Sequence, residues 1–139
     1  MIFIIMKIIF KKPANLFDKD QVEVIQQFIK FLQGEIPLNK DTHIYFLNKR
    51  KEPMTTGVRM PHHEIYVLSA QRMLIDILRT LGHEWVHEFQ HQKLGLRDDQ
   101  PIQDIGGKEE NMANALGGVM VKKFERVFPK YENLLYAEK

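Results

Sequence analysis

Cysteine is absent from this sequence of 139 residues. Its absence excludes disulfide bonds, thiolate metal sites and cysteine nucleophiles, so a bound metal ion would need His, Asp or Glu ligands. An excess of charge of one sign is missing as well, because 20 Lys and Arg residues stand against 18 Asp and Glu residues. This balance argues against nucleic acid as a partner, and we interpret the local basic cluster Lys49-Arg50-Lys51 as the solvated tip of a hairpin.

A membrane-spanning segment is also missing. The apolar N-terminal run MIFIIMKIIF is shorter than the ~20 residues of a membrane helix, and it lacks the basic start and the small-residue cleavage site of a signal peptide. We predict that it forms a buried strand, with MIFII as a second half-strand in the alternative, and that the protein is cytoplasmic with no membrane partner. The length and the 44% hydrophobic content predict one globular domain over residues 1–139.

Hydrophobic periodicity predicts the elements that follow. Asp18 and Gln21 have the spacing of a capping box at the start of a helix, which Gly34 and Pro37 would end. The segment after this helix is rich in β-branched and aromatic residues and is interrupted by proline and glycine. It predicts a small antiparallel set of strands near 43–48, 55–60 and 63–68.

Two long helices are predicted in the second half of the chain. The first would be capped by Ser69 and run to about Lys93, before Gly95. The second would run from about Lys108 to Val127. Its predicted buried side consists of Ala113, Leu116, Met120, Phe124 and Val127. These elements together predict an α+β fold in which a small, mostly antiparallel sheet packs on both helices.

The first of these helices carries the sequence HEWVH. His83 and His87 are four residues apart and therefore lie on the same helix face, where both rings can bind one metal ion. Glu84 lies about 100° round the helix, which suits a general base that is not itself a ligand. His91 is about 12 Å from His83 along the axis and cannot share that ion. The alternative interpretation is a pair of ordinary helix-surface histidines.

A catalytic zinc ion needs a third protein ligand and leaves its fourth position to water. No histidine follows His91, so the third ligand has to be a carboxylate. The candidates are Asp98, Asp99, Asp104, Glu109 and Glu110. We favour Glu110, because the small Ala113 and the polar Asn114 follow it at helical spacing, although Glu109 stays open. Asn114 could orient a metal-bound histidine.

Gly117 and Gly118 lie inside the last predicted helix, where each glycine costs roughly 1 kcal/mol. This cost is understandable if two helices approach closely there, and Gly117 lies on the same face as Glu110. The alternative is a local kink.

These motifs resemble those of the gluzincin metallopeptidases, whose pattern is HExxH with a downstream glutamate. The segment Glu110-Asn111-Met112-Ala113-Asn114 is similar to the E-x-E-A-N segment of the small ImmA/IrrE-type domains, with Met112 where those domains carry a second acid. The resemblance implies a minimal zincin-like domain in which His83, His87 and Glu110 bind one zinc ion and Glu84 acts as general base.

The resulting hypothesis is a zinc-dependent peptidase that acts on a peptide or protein substrate, with a protein partner that completes the cleft as a further possibility. We expect the substrate to extend along the strand HEIYVLS. The candidates for stabilising the oxyanion are Tyr45, Arg59, His62, His63 and Tyr66. One alternative is a zincin-fold binding or regulatory module without turnover. A DNA-binding accessory protein that uses Lys49–Lys51 and Lys122-Lys123 is the weakest interpretation.

Overall fold

The structure, a computed structural model, describes residues 2–5, 7–94 and 107–138. The fold is α+β, as predicted. The strands are β1 (Ile2–Ile5), β2 (Ile8–Lys11), β3 (Thr42–Leu47), β4 (Gly57–Met60) and β5 (Glu64–Leu68). The helices are α1 (Lys19–Glu35), α2 (Leu74–Lys93), α3 (Lys108–Val127) and α4 (Glu132–Leu135), and the 3-10 turn Pro129–Tyr131 precedes α4.

The five strands form one mixed sheet in the order β1-β2-β3-β5-β4. β2 and β5 are both parallel to β3, whereas the two outer pairs, β1 with β2 and β4 with β5, are antiparallel. The prediction of a mostly antiparallel sheet was therefore wrong. Helix α1 supplies the crossover that a parallel β2–β3 pair requires. β5 lies between two strands, so the strand HEIYVLS is internal and cannot accept a substrate at its edge.

The N-terminal run forms two strands, as in the alternative with a second half-strand, and not the single buried strand that was favoured. β2 is part of the core, since Ile8 and Phe10 are fully buried. β1 is an outer strand on which Ile2 and Ile4 are 62% and 70% exposed. The periodicity of the run reveals its β character, but it does not reveal that the chain folds back on itself.

The main core lies between one face of the sheet and the helices, but of the two long helices predicted to pack on the sheet only α2 does so, whereas α3 packs mainly on α2. Alternate residues of β2, β3 and β5 point into it: Ile8, Phe10, Ile44, Phe46, Ile65 and Val67. Trp85 of α2 is fully buried in the same core, and its indole Nε1–H donates a hydrogen bond of 2.8 Å to the carbonyl of Ile36. This bond ties the middle of α2 to the end of α1.

Helix α1 begins with the predicted capping box. The backbone N–H of Gln21 donates to the carboxylate of Asp18, and the Gln21 side chain accepts from the Asp18 N–H. The helix continues past Gly34 to Glu35. The two side chains therefore satisfy two backbone donors that would otherwise be unpaired at the helix start.

Helix α2 begins four residues later than predicted, at Leu74, and its N-cap is Met73 rather than Ser69. The Ser69 hydroxyl donates instead to the carbonyl of Val67, so it cannot cap the helix. Arg72 then folds over the first turns of α2, where it donates to the carbonyl of Asp76 and to the hydroxyl of Thr80. The predicted stop at Gly95 lies outside the described residues.

Helix α3 has the bounds predicted for it, Lys108–Val127. Ala113, Met120 and Phe124 are buried as predicted, but Val127 is 53% exposed because the helix ends there. Lys49, Arg50 and Lys51 are exposed in the connection between β3 and β4. Within the described ranges, no helix combines the length and the apolar character that spanning a bilayer requires.

Candidate metal centre

Helices α2 and α3 bring His83, His87 and Glu110 together. Oxygen Oε1 of Glu110 lies 2.8 Å from Nε2 of His83 and 3.0 Å from Nε2 of His87. His83 and His87 are adjacent because they are one helical turn apart, and Glu110 reaches them from the first turn of α3. The third residue comes from a different helix, so the cluster depends on how α2 and α3 pack.

The chemistry of this donor set fits a metal ion. Each of the three residues offers one nitrogen or oxygen atom, and these three atoms lie within 4.8 Å of one another. All three residues can therefore contact one ion. Two imidazoles and one carboxylate are a ligand set of catalytic zinc sites, in which the fourth position is left to water. No other such group of His, Asp and Glu occurs in the part of the chain that the structure describes.

The remaining candidates for the third ligand are not in this cluster. Glu109 lines a different cavity, together with Gln90, Leu94, Lys108 and Met112. Asp98, Asp99 and Asp104 lie outside the described residues. Among the described residues, the structure therefore separates Glu110 from Glu109, which the sequence alone could not do.

Gln90 holds His87 in its orientation. Nδ1 of His87 lies 2.8 Å from the amide oxygen of Gln90, and the Gln90 amide nitrogen donates to the carbonyl of Glu109 at 2.9 Å. A hydrogen bond at Nδ1 fixes the ring and leaves Nε2 for a ligand role. Gln90, which the sequence did not single out, thus orients His87, and Asn114, for which a similar role was predicted, lines the cavity beside His83.

Glu84 is almost completely buried, at 2% exposure, yet it lines the cavity at the cluster. This cavity of about 270 Å³, which we call the cluster cavity, is lined by Thr56, Arg79, Thr80, His83, Glu84, Glu110 and Asn114. Because Glu84 shares the cavity with His83 and Glu110, it can exchange a proton with a molecule bound there. The position predicted for a general base is therefore next to the predicted ligands.

Gly57 makes room for Glu84. A Cβ atom at Gly57 would overlap Cγ2 of Thr80 and lie 3.1 Å from Cγ of Glu84. Only a glycine lets β4 pass this close to α2. This role of Gly57 could not be predicted from the sequence, because the approach of β4 to α2 is not a local property.

Gly117 allows the two helices of the cluster to touch. A Cβ atom at Gly117 would lie 3.0 Å from the backbone nitrogen of His83, whereas a Cβ atom at Gly118 would meet nothing within 4 Å. The prediction of a close helix approach is confirmed for Gly117 and is wrong for Gly118. Gly117 brings α3 against the helix turn that carries His83.

A buried ionic network lies one turn further along α2. Arg59 and Glu88 are both fully buried, and Nε of Arg59 lies 2.6 Å from Oε1 of Glu88. The other carboxylate oxygen of Glu88 is 2.7 Å from Nδ1 of His63 and 2.5 Å from the amide nitrogen of Gln92. The network joins β4, the β4–β5 turn and α2. It fixes β4 at the position where Gly57 meets Glu84.

None of the five candidates for stabilising an oxyanion lines the cluster cavity. Arg59 and His63 bind Glu88, and His62 is in the β4–β5 turn with a φ of 66°. Tyr45 and Tyr66 stack on each other, with ring centroids 5.1 Å apart, on the sheet face that points away from the helices. Burial and a hydrogen bond to Glu64 raise the pKa of Tyr66 to about 12.

The polar side chains that do line the cluster cavity come from other positions. Thr56 precedes β4, Arg79 and Thr80 lie on α2, and Asn114 lies on α3. Thr80 accepts a hydrogen bond from Arg72, whose pKa is lowered by burial. The sequence signal for these residues is weak, because only the packing of three elements places them together.

Comparisons with known protein families, with curated protein sequences and with solved structures gave no significant match.

Proposed function

We propose that this chain is a small zinc-dependent peptidase with a minimal zincin-like fold. The observation that supports the proposal is the convergence of His83, His87 and Glu110 at one point, next to a cavity that also contains the buried Glu84. A structural zinc site is normally closed by a fourth protein ligand, whereas this cluster has three protein ligands beside a cavity.

In this proposal His83, His87 and Glu110 hold the zinc ion, and Gln90 keeps His87 in the tautomer that presents Nε2. When bound, zinc supplies a Lewis acid that polarises the scissile carbonyl and lowers the pKa of water. Glu84 accepts a proton from the attacking water and donates it to the departing amine. Burial of Glu84 keeps its carboxylate at a fixed position near the reacting atoms.

The edge of β4 is the proposed position for the substrate backbone. The N–H of Leu68 donates to the carbonyl of Thr56, so the main-chain groups of Thr56 point towards β5. In an antiparallel ladder every second residue points the same way, so the main-chain N–H and C=O of Val58 also point towards β5. The main-chain N–H and C=O groups of Gly57 and Arg59 therefore point outward from the open edge of β4. An extended peptide that pairs with them would pass beside Glu84. This position replaces the internal strand HEIYVLS.

The first experiment measures zinc bound per protein molecule by elemental mass spectrometry, after dialysis against metal-free buffer. We expect a ratio near one for the wild type and a large loss for His83→Ala. The matched control is His62→Asn, because His62 has a positive φ that asparagine tolerates, is exposed, and belongs neither to the cluster nor to the lining of the cluster cavity. A ratio near zero for the wild type that added zinc does not restore would overturn the proposal.

The second experiment tests turnover with Glu84→Gln. We expect this variant to keep zinc and to lose at least about 100-fold in peptide hydrolysis, the usual range for a general base. Full activity of the variant would refute the assigned role of Glu84. Zinc binding without peptide hydrolysis in the wild type, with unstructured proteins as substrates, would favour the alternative of a zincin-fold module that recognises a protein partner. The cytoplasmic location and a partner that completes the cleft stay predictions.

A further inference from the structure

A second cavity adjoins the cluster cavity. It has a volume of about 340 Å³ and shares Arg79, His83 and Asn114 with the first cavity. We call it the side cavity. Its size is at the lower end of the ~300–1,000 Å³ typical of ligand pockets. A substrate held at the cluster would therefore have a neighbouring group within reach of the side cavity.

The inner surface of the side cavity is apolar and open. Ala113 and Val121 of α3 are buried there, and Gly118 adds no side chain. A Cβ atom at Gly118 would meet nothing within 4 Å, which shows that the space above this glycine is empty in the fold itself. Gly118 thus enlarges the cavity, and it has no part in the close approach made by Gly117.

The rim of the side cavity is charged, with an excess of cations. Arg79 of α2 and Lys122 of α3 line it, and Glu125 is the carboxylate among the lining residues. The Glu125 carboxylate already accepts a hydrogen bond of 2.5 Å from the hydroxyl of Tyr136. Arg79 uses Nη1 to bind Asp76 at 2.9 Å, and a guanidinium carries five N–H donors, so Arg79 has donors beyond that pair.

We propose that the side cavity binds the substrate residue next to the cleaved bond and selects a carboxylate there, which Arg79 and Lys122 recognise. The carboxylate would come either from an Asp or Glu side chain or from the C-terminus of the substrate. An apolar floor below a cationic rim suits a short aliphatic stem that ends in an anion. This inference rests on the proposed peptidase function and specifies its substrate class.

The test uses the zinc-loaded full chain and a set of peptide hydroxamates, which bind zinc without being cleaved. The compounds differ only at the residue next to the hydroxamate, which is Glu, Gln or Gly, and their C-termini are amidated. A fourth compound has Gln and a free C-terminal carboxylate. Dissociation constants are measured by calorimetry. We expect the Glu compound, or the compound with the free carboxylate, to bind about three- to tenfold more tightly than the amidated Gln compound.

Charge variants assign this preference to named residues. Arg79→Gln and Lys122→Gln should each reduce the ratio of the Gln to the Glu dissociation constant. Arg126→Gln and Lys123→Gln are matched controls, because both residues are basic and lie on α3 without lining the side cavity. Equal affinity of the Glu, Gln and free-carboxylate compounds for the wild type would overturn the inference and leave the peptidase proposal intact.

Gly118→Leu tests the position of the binding residue. The new side chain enters open space on a helix, so the variant should fold at least as stably as the wild type. We expect weaker binding of the Glu and Gln compounds and unchanged binding of the Gly compound. Unchanged binding of all three would place the variable residue elsewhere and refute the inference. Failure of every hydroxamate to bind zinc-loaded protein would instead contradict the proposed function itself.

Discussion

Gly117 of α3 lies against the backbone of His83, so close that an added Cβ atom would be 3.0 Å from the His83 nitrogen. The neighbouring atoms are backbone atoms of α2, which cannot rotate away as a side chain can. Every atom added at position 117 therefore pushes apart the two helices that carry His83 and Glu110. The geometry of the proposed metal centre depends on a residue that has no side chain.

Gly117→Ala should lower both stability and zinc affinity. Overpacking of this kind costs about 1–3 kcal/mol, which exceeds the gain of about 0.5–1 kcal/mol from replacing a helix glycine by alanine. Gly118→Ala is the matched control, because it has the same gain and open space around it. Urea unfolding should show a loss of stability for Gly117→Ala and a gain for Gly118→Ala. Zinc titration should show weaker binding for Gly117→Ala. Equal stabilisation by both would contradict the close approach.

Gln90→Leu should weaken zinc binding without unfolding the protein. The substitution removes the hydrogen bond to Nδ1 of His87 and the bond to the carbonyl of Glu109, and leaves all three proposed ligands in place. Removal of such a supporting partner typically costs 10–100-fold in metal affinity. Competition with a chelator of known affinity measures the change. Gln26→Leu on α1 is the control, and a similar loss there would show that the effect is not specific to Gln90.

Gly57→Ala should reduce peptide hydrolysis more than it reduces zinc binding. The added methyl group overlaps Cγ2 of Thr80 and presses on Glu84, and the three atoms nearest to it belong to none of the proposed ligands. The double variant Gly57→Ala/Thr80→Ser removes the overlapping methyl group and keeps the hydroxyl that Arg72 contacts. We expect it to recover part of the activity. Absence of any recovery would mean that Gly57→Ala lowers activity by displacing strand β4 and not by displacing the Glu84 side chain.

Removal of one partner of the buried Arg59–Glu88 pair should destabilise the fold strongly. Replacement of both partners by apolar residues should destabilise it much less. Arg59→Met leaves a fully buried carboxylate without its guanidinium partner, which typically costs about 3–5 kcal/mol. In Arg59→Met/Glu88→Leu both charges are gone, and the loss should be smaller than that of the single variant. The exposed pair Arg79–Asp76 provides a comparison, since Asp76→Asn should cost less than about 1 kcal/mol. Denaturant unfolding measures all three variants.

The features that could be predicted from the sequence are those determined by nearby residues. The capping box of Asp18 and Gln21, the bounds of α3 and the shared face of His83 and His87 all depend on spacings of three or four residues. Glu110 was the favoured third ligand for a similar reason, because small and polar residues follow it on the same helix face. The structure places it at the two histidines.

Features that depend on distant parts of the chain could not be predicted. Strand patterns do not encode whether β5 pairs with β3 in parallel, and β5 was therefore mistaken for a substrate-binding edge. Ser69 has the composition of a helix cap, but its hydroxyl is engaged by the carbonyl of Val67. Gln90 matters because it contacts α3, and Gly57 matters because it lies against α2. The residues next to them in the sequence do not indicate either contact.

Trp85 is the only tryptophan of the chain, and it lies between the two histidines of α2 in sequence but on the other side of the helix. Two residues along a helix correspond to a rotation of about 200°, so the indole faces the core while both imidazoles face the cluster. All tryptophan fluorescence of the protein therefore originates from the back of the proposed metal-binding helix. A variant that loses only the metal should keep the emission of a buried indole, and one in which α2 detaches from the core should shift it to longer wavelength.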